Sequence, residues 1–116
     1  MEQAMKIFHN PKCRKSREAL SWLMENGHNV EIIEYMKTGI SLKSLKEITF
    51  KMEVSPFTLL RKGEDEYKLH IKDKPLDEND LLSLMSKYPK LIERPIVLIE
   101  EKAILARPLE NLIKAI

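Results

Sequence analysis

The stretch MKIFHNPKCRKSREALSWLMENGHNVEIIEY, residues 5–35, decides the fold. Met5–Phe8 is a short apolar run suited to a buried strand, and it stops at His9-Asn10-Pro11. Asn-Pro is a turn signal, because the Pro11 ring pushes Asn10 away from helical angles. A helix is expected to begin close to Cys13. Ala19, Leu20, Leu23 and Met24 then fall on one face, and Gly27 supplies the stop. Val30–Tyr35, rich in branched and aromatic side chains, reads as a second strand. A strand-helix-strand crossover normally sets its two strands parallel. The loop after the first strand then lies at the carboxyl edge of the sheet, and Cys13 sits on that loop.

Outward from this unit the pattern turns helical, from Thr38 to Pro89. Ser41 can cap a helix whose apolar positions are Leu42, Leu45, Ile48 and Met52. Ser55-Pro56 is a cap followed by proline at the first helical position. It opens a short helix carrying Phe57, Leu59 and Leu60 that ends near Lys62-Gly63. Asp77 opens another, with Leu81, Leu82, Leu84 and Met85 as its face and Tyr88-Pro89 as its end. The tail returns to strands at Ile96–Ile99, a turn at Glu101-Lys102, and Ala103–Ala106. Pro108 then starts a last helix bearing Leu109, Leu112, Ile113 and Ile116. The expected order is β-α-β, a helical insert at about 38–90, then β-β-α. Without the insert it is an α/β arrangement, a mixed four-stranded sheet covered by helices, in a single domain over residues 1–116.

Composition excludes several classes. At 43% hydrophobic, with 3 Gly and 6 Pro in 116 residues, the chain is neither collagenous nor disordered and can bury a core. Twenty basic against 18 acidic residues leave +2, which does not point to nucleic acid as a partner. No apolar run approaches the ~18 residues that cross a bilayer. The amino-terminal MEQAMKIFHN lacks the apolar stretch of a secretion signal. The expectations are a cytoplasmic protein with no membrane partner, acting as a monomer.

Cys13 is the sole cysteine, which excludes an internal disulfide and a Cys-based zinc site, and no metal site is expected. If the thiol does redox chemistry, its resolving thiol comes from another molecule. A lone cysteine is commonly inert packing. Against that, Cys13 lies in a polar turn with no apolar neighbour in sequence, at an expected helix N-terminus where N–H groups and the dipole favour a thiolate. Lys12, Arg14, Lys15 and Arg17 flank it, where a helix start ordinarily prefers Asp and Glu. Such a start is a seat for an anion. The reading requires a sulfur that is exposed, anionic and ringed by positive side chains. Ser16 can place its hydroxyl near the thiolate or cap backbone, and His9 can be an electrostatic neighbour or hold the loop by a hydrogen bond. His28 and His70 read as surface residues. Arg61 follows an apolar segment, while Arg94 and Arg107 each precede a proline beside a strand end. Guanidinium groups converging on one thiol would cradle a tetrahedral oxyanion. The isomer of the Arg94-Pro95 bond is open.

These residues resemble the glutaredoxin-coupled arsenate reductase family, with its thioredoxin-like fold, over about Lys6 to Ile116. The most specific piece is His9-Asn10-Pro11-Lys12-Cys13-Arg14-Lys15-Ser16-Arg17, similar to the family's HNPxCxxSR loop. Glu93-Arg94-Pro95-Ile96-Val97, Ala106-Arg107-Pro108 and Leu59-Leu60-Arg61-Lys62 resemble three further family segments, in the right order. The resemblance implies that Cys13 attacks arsenate and that Arg61, Arg94 and Arg107 hold the oxyanion and the arseno-thiol intermediate. It implies that His9, Asn10, Arg14, Ser16 and Pro95 line the substrate site. No cofactor is bound in this picture; glutathione attacks next, and glutaredoxin removes the glutathione. A one-cysteine redox enzyme must borrow its second thiol in any case.

Arg14 and Lys15 depart from the small residues that arsenate reductases tend to carry after the nucleophile. Two related activities stand beside arsenate reduction. One is a glutathione-dependent thiol reductase acting on another substrate. The other is an Spx-like transcriptional regulator that binds RNA polymerase, although Ser16 stands where that branch commonly has the second cysteine of CxxC.

Overall fold

A computed structural model describes residues 4–116; residues 1–3 of the stretch read for a secretion signal lie outside the described residues. In chain order the elements are β1 (Met5–Phe8), α1 (Arg14–Glu25), β2 (Val30–Ile33), α2 (Tyr35–Thr38), α3 (Leu42–Met52), α4 (Asp65–His70), α5 (Glu78–Lys87), β3 (Ile96–Ile99), β4 (Lys102–Leu105) and α6 (Leu109–Ala115). Short 3-10 turns at Pro56–Leu59 and Pro89–Leu91 join them. Two compact units result, one from the residues up to Thr38 with Arg94–Ile116, the other Gly39–Glu93.

The first unit holds the sheet, in the order β2-β1-β3-β4. β1 runs parallel to β2 and antiparallel to β3, and β3 antiparallel to β4, which is the mixed α/β sheet expected. Met5 and Ile7 pair with Ile99 and Val97, so the four side chains share one face. There they bury with Ala19 and Leu23 of α1 and Leu112 of α6. All four residues of β3 are buried, as an Ile-Val-Leu-Ile run in a central strand requires. Gly27 ends α1 with φ +76°, a left-handed angle that side chains disfavour.

Several expectations are corrected. β2 stops at Ile33, and Tyr35 instead opens the short α2. Met24 is exposed, because Ala19 and Leu23 already fill the inward stripe of α1. Ile113 and Ile116 are likewise exposed, and in α6 only Leu112 is fully buried. β4 begins at Lys102, one residue early, since Glu100 takes the left-handed turn position (φ 52°). His28 is not merely a surface residue: it stacks on Trp22 at 6.0 Å between ring centroids.

In the second unit, Ser41 Oγ caps α3 by accepting the Ser44 N–H at 3.1 Å. Asp77 opens α5 with a capping box: its carboxylate accepts the Asp80 N–H at 2.7 Å, and the Asp80 carboxylate accepts the Asp77 N–H at 3.3 Å. The apolar faces expected of both helices are inward at Leu45, Ile48, Leu81, Leu82 and Met85. α4 has no counterpart in the expected pattern, and none of its residues is buried. His70 ends it, stacked face to face on Tyr88 at 4.7 Å. Phe57 points outward from its 3-10 turn. No helix among the described residues is long and apolar enough to cross a membrane.

Candidate active site

The register of the sheet assembles the site. Phe8 pairs with Ile96, and Ile96 with Leu105, so the end of β1, the start of β3 and the end of β4 share one edge. The Ala106 N–H continues this pairing by donating to the Pro95 carbonyl at 3.0 Å. Residues far apart in sequence, the Cys13 loop, Arg94-Pro95 and Ala106-Arg107, are thereby delivered to one place. Both Arg94-Pro95 and Arg107-Pro108 are cis, and Pro95 is buried.

The loop is built by its own polar groups. Asn10 makes an Asx turn, its Oδ1 accepting the Lys12 N–H at 3.0 Å, while its carbonyl accepts the Cys13 N–H at 2.9 Å. Arg17 donates from Nη1 to the Pro11 carbonyl at 2.9 Å and braces the turn from α1. The Cys13 carbonyl accepts the Arg17 N–H at 3.0 Å, so Cys13 is the N-cap residue, with extended backbone angles. Of the two placements open to the Ser16 hydroxyl, the backbone one is found: Oγ accepts the Asn10 N–H at 3.0 Å. It also lies 2.6 Å from His9 Nδ1, so His9 holds the loop by a hydrogen bond. Burial is the main cause that holds the His9 imidazole below its ordinary pKa, with Arg17 adding to it against the pull of Glu34.

Cys13 departs from the exposed thiol expected of a polar loop. It keeps only 8% of its surface. Burial by itself would push the thiol up, yet its pKa lies below the ordinary 9.0. The Ser16 N–H directed at the sulfur, the Arg94 guanidinium and the Lys15 N–H together outweigh the lost hydration. The two amides do not reach the geometry of a full capping hydrogen bond, so they act as aimed dipoles.

The basic flank does less than its position suggests. Lys12, Arg14, Lys15 and Arg17 all lie exposed, where water screens their charge, and the arginine that lowers the thiol comes from the start of β3. Arg14 is the first residue of α1 and its side chain is solvent-facing. Arg94 is half-buried, and its Nε is a buried donor with no hydrogen-bond partner among the described residues. A donor left unpaired beside the thiol is the arrangement expected where an anion is to be received. Arg107 is exposed at the same sheet edge, its carbonyl accepting from Asn111 Nδ2 at 3.4 Å. Arg61 belongs to the second unit, where it pairs with Glu64 at 2.8 Å and with Glu93 at 3.9 Å and donates to the Lys90 carbonyl at 3.3 Å. The helix-start N–H groups that sequence reading expected to favour the thiolate are those of Ser16 and Lys15. Sequence reading missed the Arg17 brace, which the Asn-Pro turn six residues before it could have suggested.

The sequence profile of the ArsC family matches residues 8–115, which include every loop described above. The arsenate reductase of Neisseria meningitidis (serogroup A) is 46% identical over 110 residues, covering 93% of this chain and 94% of its own. The uncharacterised protein YfgD of Escherichia coli K12 is 39% identical over 118 residues, covering 100% and 99%. Among solved structures, the arsenate reductase from Vibrio cholerae superposes with a TM-score of 0.94 at 35% identity, covering all of both chains. With this family comes the thioredoxin-like architecture of its solved members, which the mixed sheet matches. The chain belongs to the ArsC family.

Proposed function

We propose that the protein is an arsenate reductase. The observation that carries this reading is the pairing of a thiol held below its ordinary pKa with an arginine whose buried Nε has no partner. The thiolate is the nucleophile, and the free donor is ready for an oxyanion's oxygen. The arsenate reductases to which the chain is similar supply the substrate class.

In this mechanism the Cys13 sulfur attacks arsenic, a sulfur–arsenic bond forms, and one arsenic oxygen leaves as water after protonation. Negative charge develops on the remaining oxygens, and fixed guanidinium groups stabilise it more than they stabilise free arsenate. Arg94 does this at the sulfur, and Arg107 approaches from the same sheet edge. Arg61 enters through the family resemblance, and binding an oxyanion there competes with its ion pair to Glu64. Glutathione then condenses onto arsenic, releasing a second water. A glutaredoxin thiolate attacks the glutathione sulfur, and the electron pair of the broken sulfur–arsenic bond reduces arsenic from +5 to +3. Hydrolysis frees arsenite and restores Cys13. The external thiols are necessary because the chain contains one cysteine. The setting for this chemistry is the reducing cytoplasm, with the chain acting as a monomer.

The test is an arsenate-dependent assay with glutathione and glutaredoxin, omitting each in turn. Turnover that needs both thiol donors and disappears in Cys13→Ser supports the reading. Turnover retained in Cys13→Ser, or thiol oxidation independent of arsenate, overturns it. Arg107→Ala is expected to raise the arsenate KM while leaving thermal unfolding unchanged.

A further inference from the structure

The three arginines assigned to the oxyanion are not equally free. The Arg94 Nε has no partner, and Arg107 stands in no ion pair among the described residues. Arg61 faces two carboxylates instead. Its Nη1 pairs with Glu64 Oε1 at 2.8 Å, and Glu93 Oε1 lies 3.9 Å from its Nε. Two carboxylates against one guanidinium leave this corner net negative, so it repels an anion until a carboxylate withdraws.

The main chain does not depend on these side chains. The Arg61 N–H donates to the Leu91 carbonyl at 2.8 Å and the Glu93 N–H to the Leu59 carbonyl at 2.8 Å, with Leu60 and Ile92 buried between them. Arg61 keeps 25% of its side-chain surface and each glutamate 27%, so the charged ends can part while this bridge stays closed. Glu64 is the N-cap residue of α4, yet its carboxylate makes no capping hydrogen bond and is committed to Arg61. The same ion pair therefore fastens the start of α4, a helix none of whose residues is buried. The His70–Tyr88 stack holds its other end. Little packing opposes release at the Glu64 end.

We propose that Glu64 is a positioning residue that latches Arg61: it withholds the guanidinium from the oxyanion, and oxyanion binding in turn unfastens the start of α4. Only molecules with the latch open offer Arg61, and the apparent dissociation constant rises as that fraction falls. A pair this accessible to water shifts an equilibrium by about two- to fivefold. Linkage makes the effect mutual, so the anion loosens α4 by the same factor. The proposal rests on the reading in which Arg61 serves the oxyanion.

The probe is inorganic phosphate, a tetrahedral anion that shares the shape and charge of arsenate and is not reduced by a thiol. Its binding is read as the concentration that halves the rate of Cys13 alkylation by iodoacetamide, in wild type, Glu64→Gln, Arg61→Met and the double variant. Cys13 is the only cysteine, so the whole signal is its own. The state of α4 is read by millisecond amide hydrogen exchange over residues 65–70. Glu64→Gln should lower the half-protecting concentration about two- to fivefold, and should change nothing in the Arg61→Met background. Saturating phosphate should speed exchange in α4 of the wild type. An unchanged half-protecting concentration in Glu64→Gln overturns the proposal. So does an equal fall in both backgrounds, which is general charge repulsion rather than a latch. If Arg61→Met does not fold, wild-type α4 decides: exchange unmoved by phosphate overturns the proposal, and faster exchange upholds it. Arsenate turnover is measured separately. Turnover absent while phosphate still protects Cys13 sinks the arsenate reading and leaves the latch to the four proteins above; no protection in either wild type or Glu64→Gln overturns the latch.

Discussion

Replacing Arg94 with Met should pull thiol chemistry and stability in opposite directions. The guanidinium gives Cys13 both a charge and a directed N–H. A hydrogen bond to a charged group contributes about 1.5–3 kcal/mol. Partial access of water at this sheet edge favours the low end. With about 1.36 kcal/mol corresponding to a tenfold change, the thiol of Arg94→Met should titrate about one pH unit higher, with thiolate about tenfold scarcer below the titration. Stability responds to a different atom. The Arg94 Nε is buried without a partner, and an uncompensated donor costs about 1–3 kcal/mol. Met keeps the apolar stem and deletes the donor. Placed in a Cys13→Ser background, which removes the thiolate from the comparison, Arg94→Met should therefore unfold at equal or higher urea, by up to about 1 kcal/mol. The thiol titration is read in Arg94→Met itself, and the unfolding in the paired background. A folded variant whose thiol titrates as in wild type would refute the electrostatic role. A loss above about 2 kcal/mol in the paired background would show that the Nε is satisfied.

Other outcomes follow from the packing and the titrating groups. Leu23→Ala deletes a fully buried side chain between α1 and the sheet and should lower the unfolding free energy by about 2–5 kcal/mol in a urea titration. Asp77→Ala removes the carboxylate that caps α5 and should cost about 1 kcal/mol, while Asp77→Asn, another good N-cap, recovers most of it. Because folding lowers the His9 pKa, the unfolded chain binds more protons in the window below 6.5. The contribution of neutral His9 is complete above that value and is lost as pH falls through the folded pKa. His9→Asn should therefore flatten the loss of stability on acidification, and an unchanged pH slope would contradict the assignment. Cys13 has the same sign in a higher window: stability rises with pH between the folded thiol pKa and 9.0, and Cys13→Ser should abolish that rise.

Local pattern sufficed for much of this protein. The Met5–Phe8 run, the Asn10-Pro11 break, Gly27 and the caps at Ser41 and Asp77 each act over a few residues, and each acts in the structure as its chemistry dictates. Periodicity was a poorer guide wherever an element is only half covered. Met24, Ile113 and Ile116 have the right spacing but face water, because a helix against one sheet face buries only a narrow stripe.

The lone Cys13 in a polar turn at a helix start is visible in the residues themselves, since the turn, the cap position and the absence of a second cysteine are all local facts. What makes the thiol acidic is shared between the Ser16 and Lys15 amides of that helix start and a residue decided elsewhere. The exposed cations beside it in sequence are screened by water, while Arg94, some eighty positions away, is brought to the sulfur by the β1–β3 register. The division between Ser16's hydroxyl, turned to His9, and its amide, turned to Cys13, is also tertiary: hydrogen bonds need ångström-level placement, which only the packed sheet and helix provide.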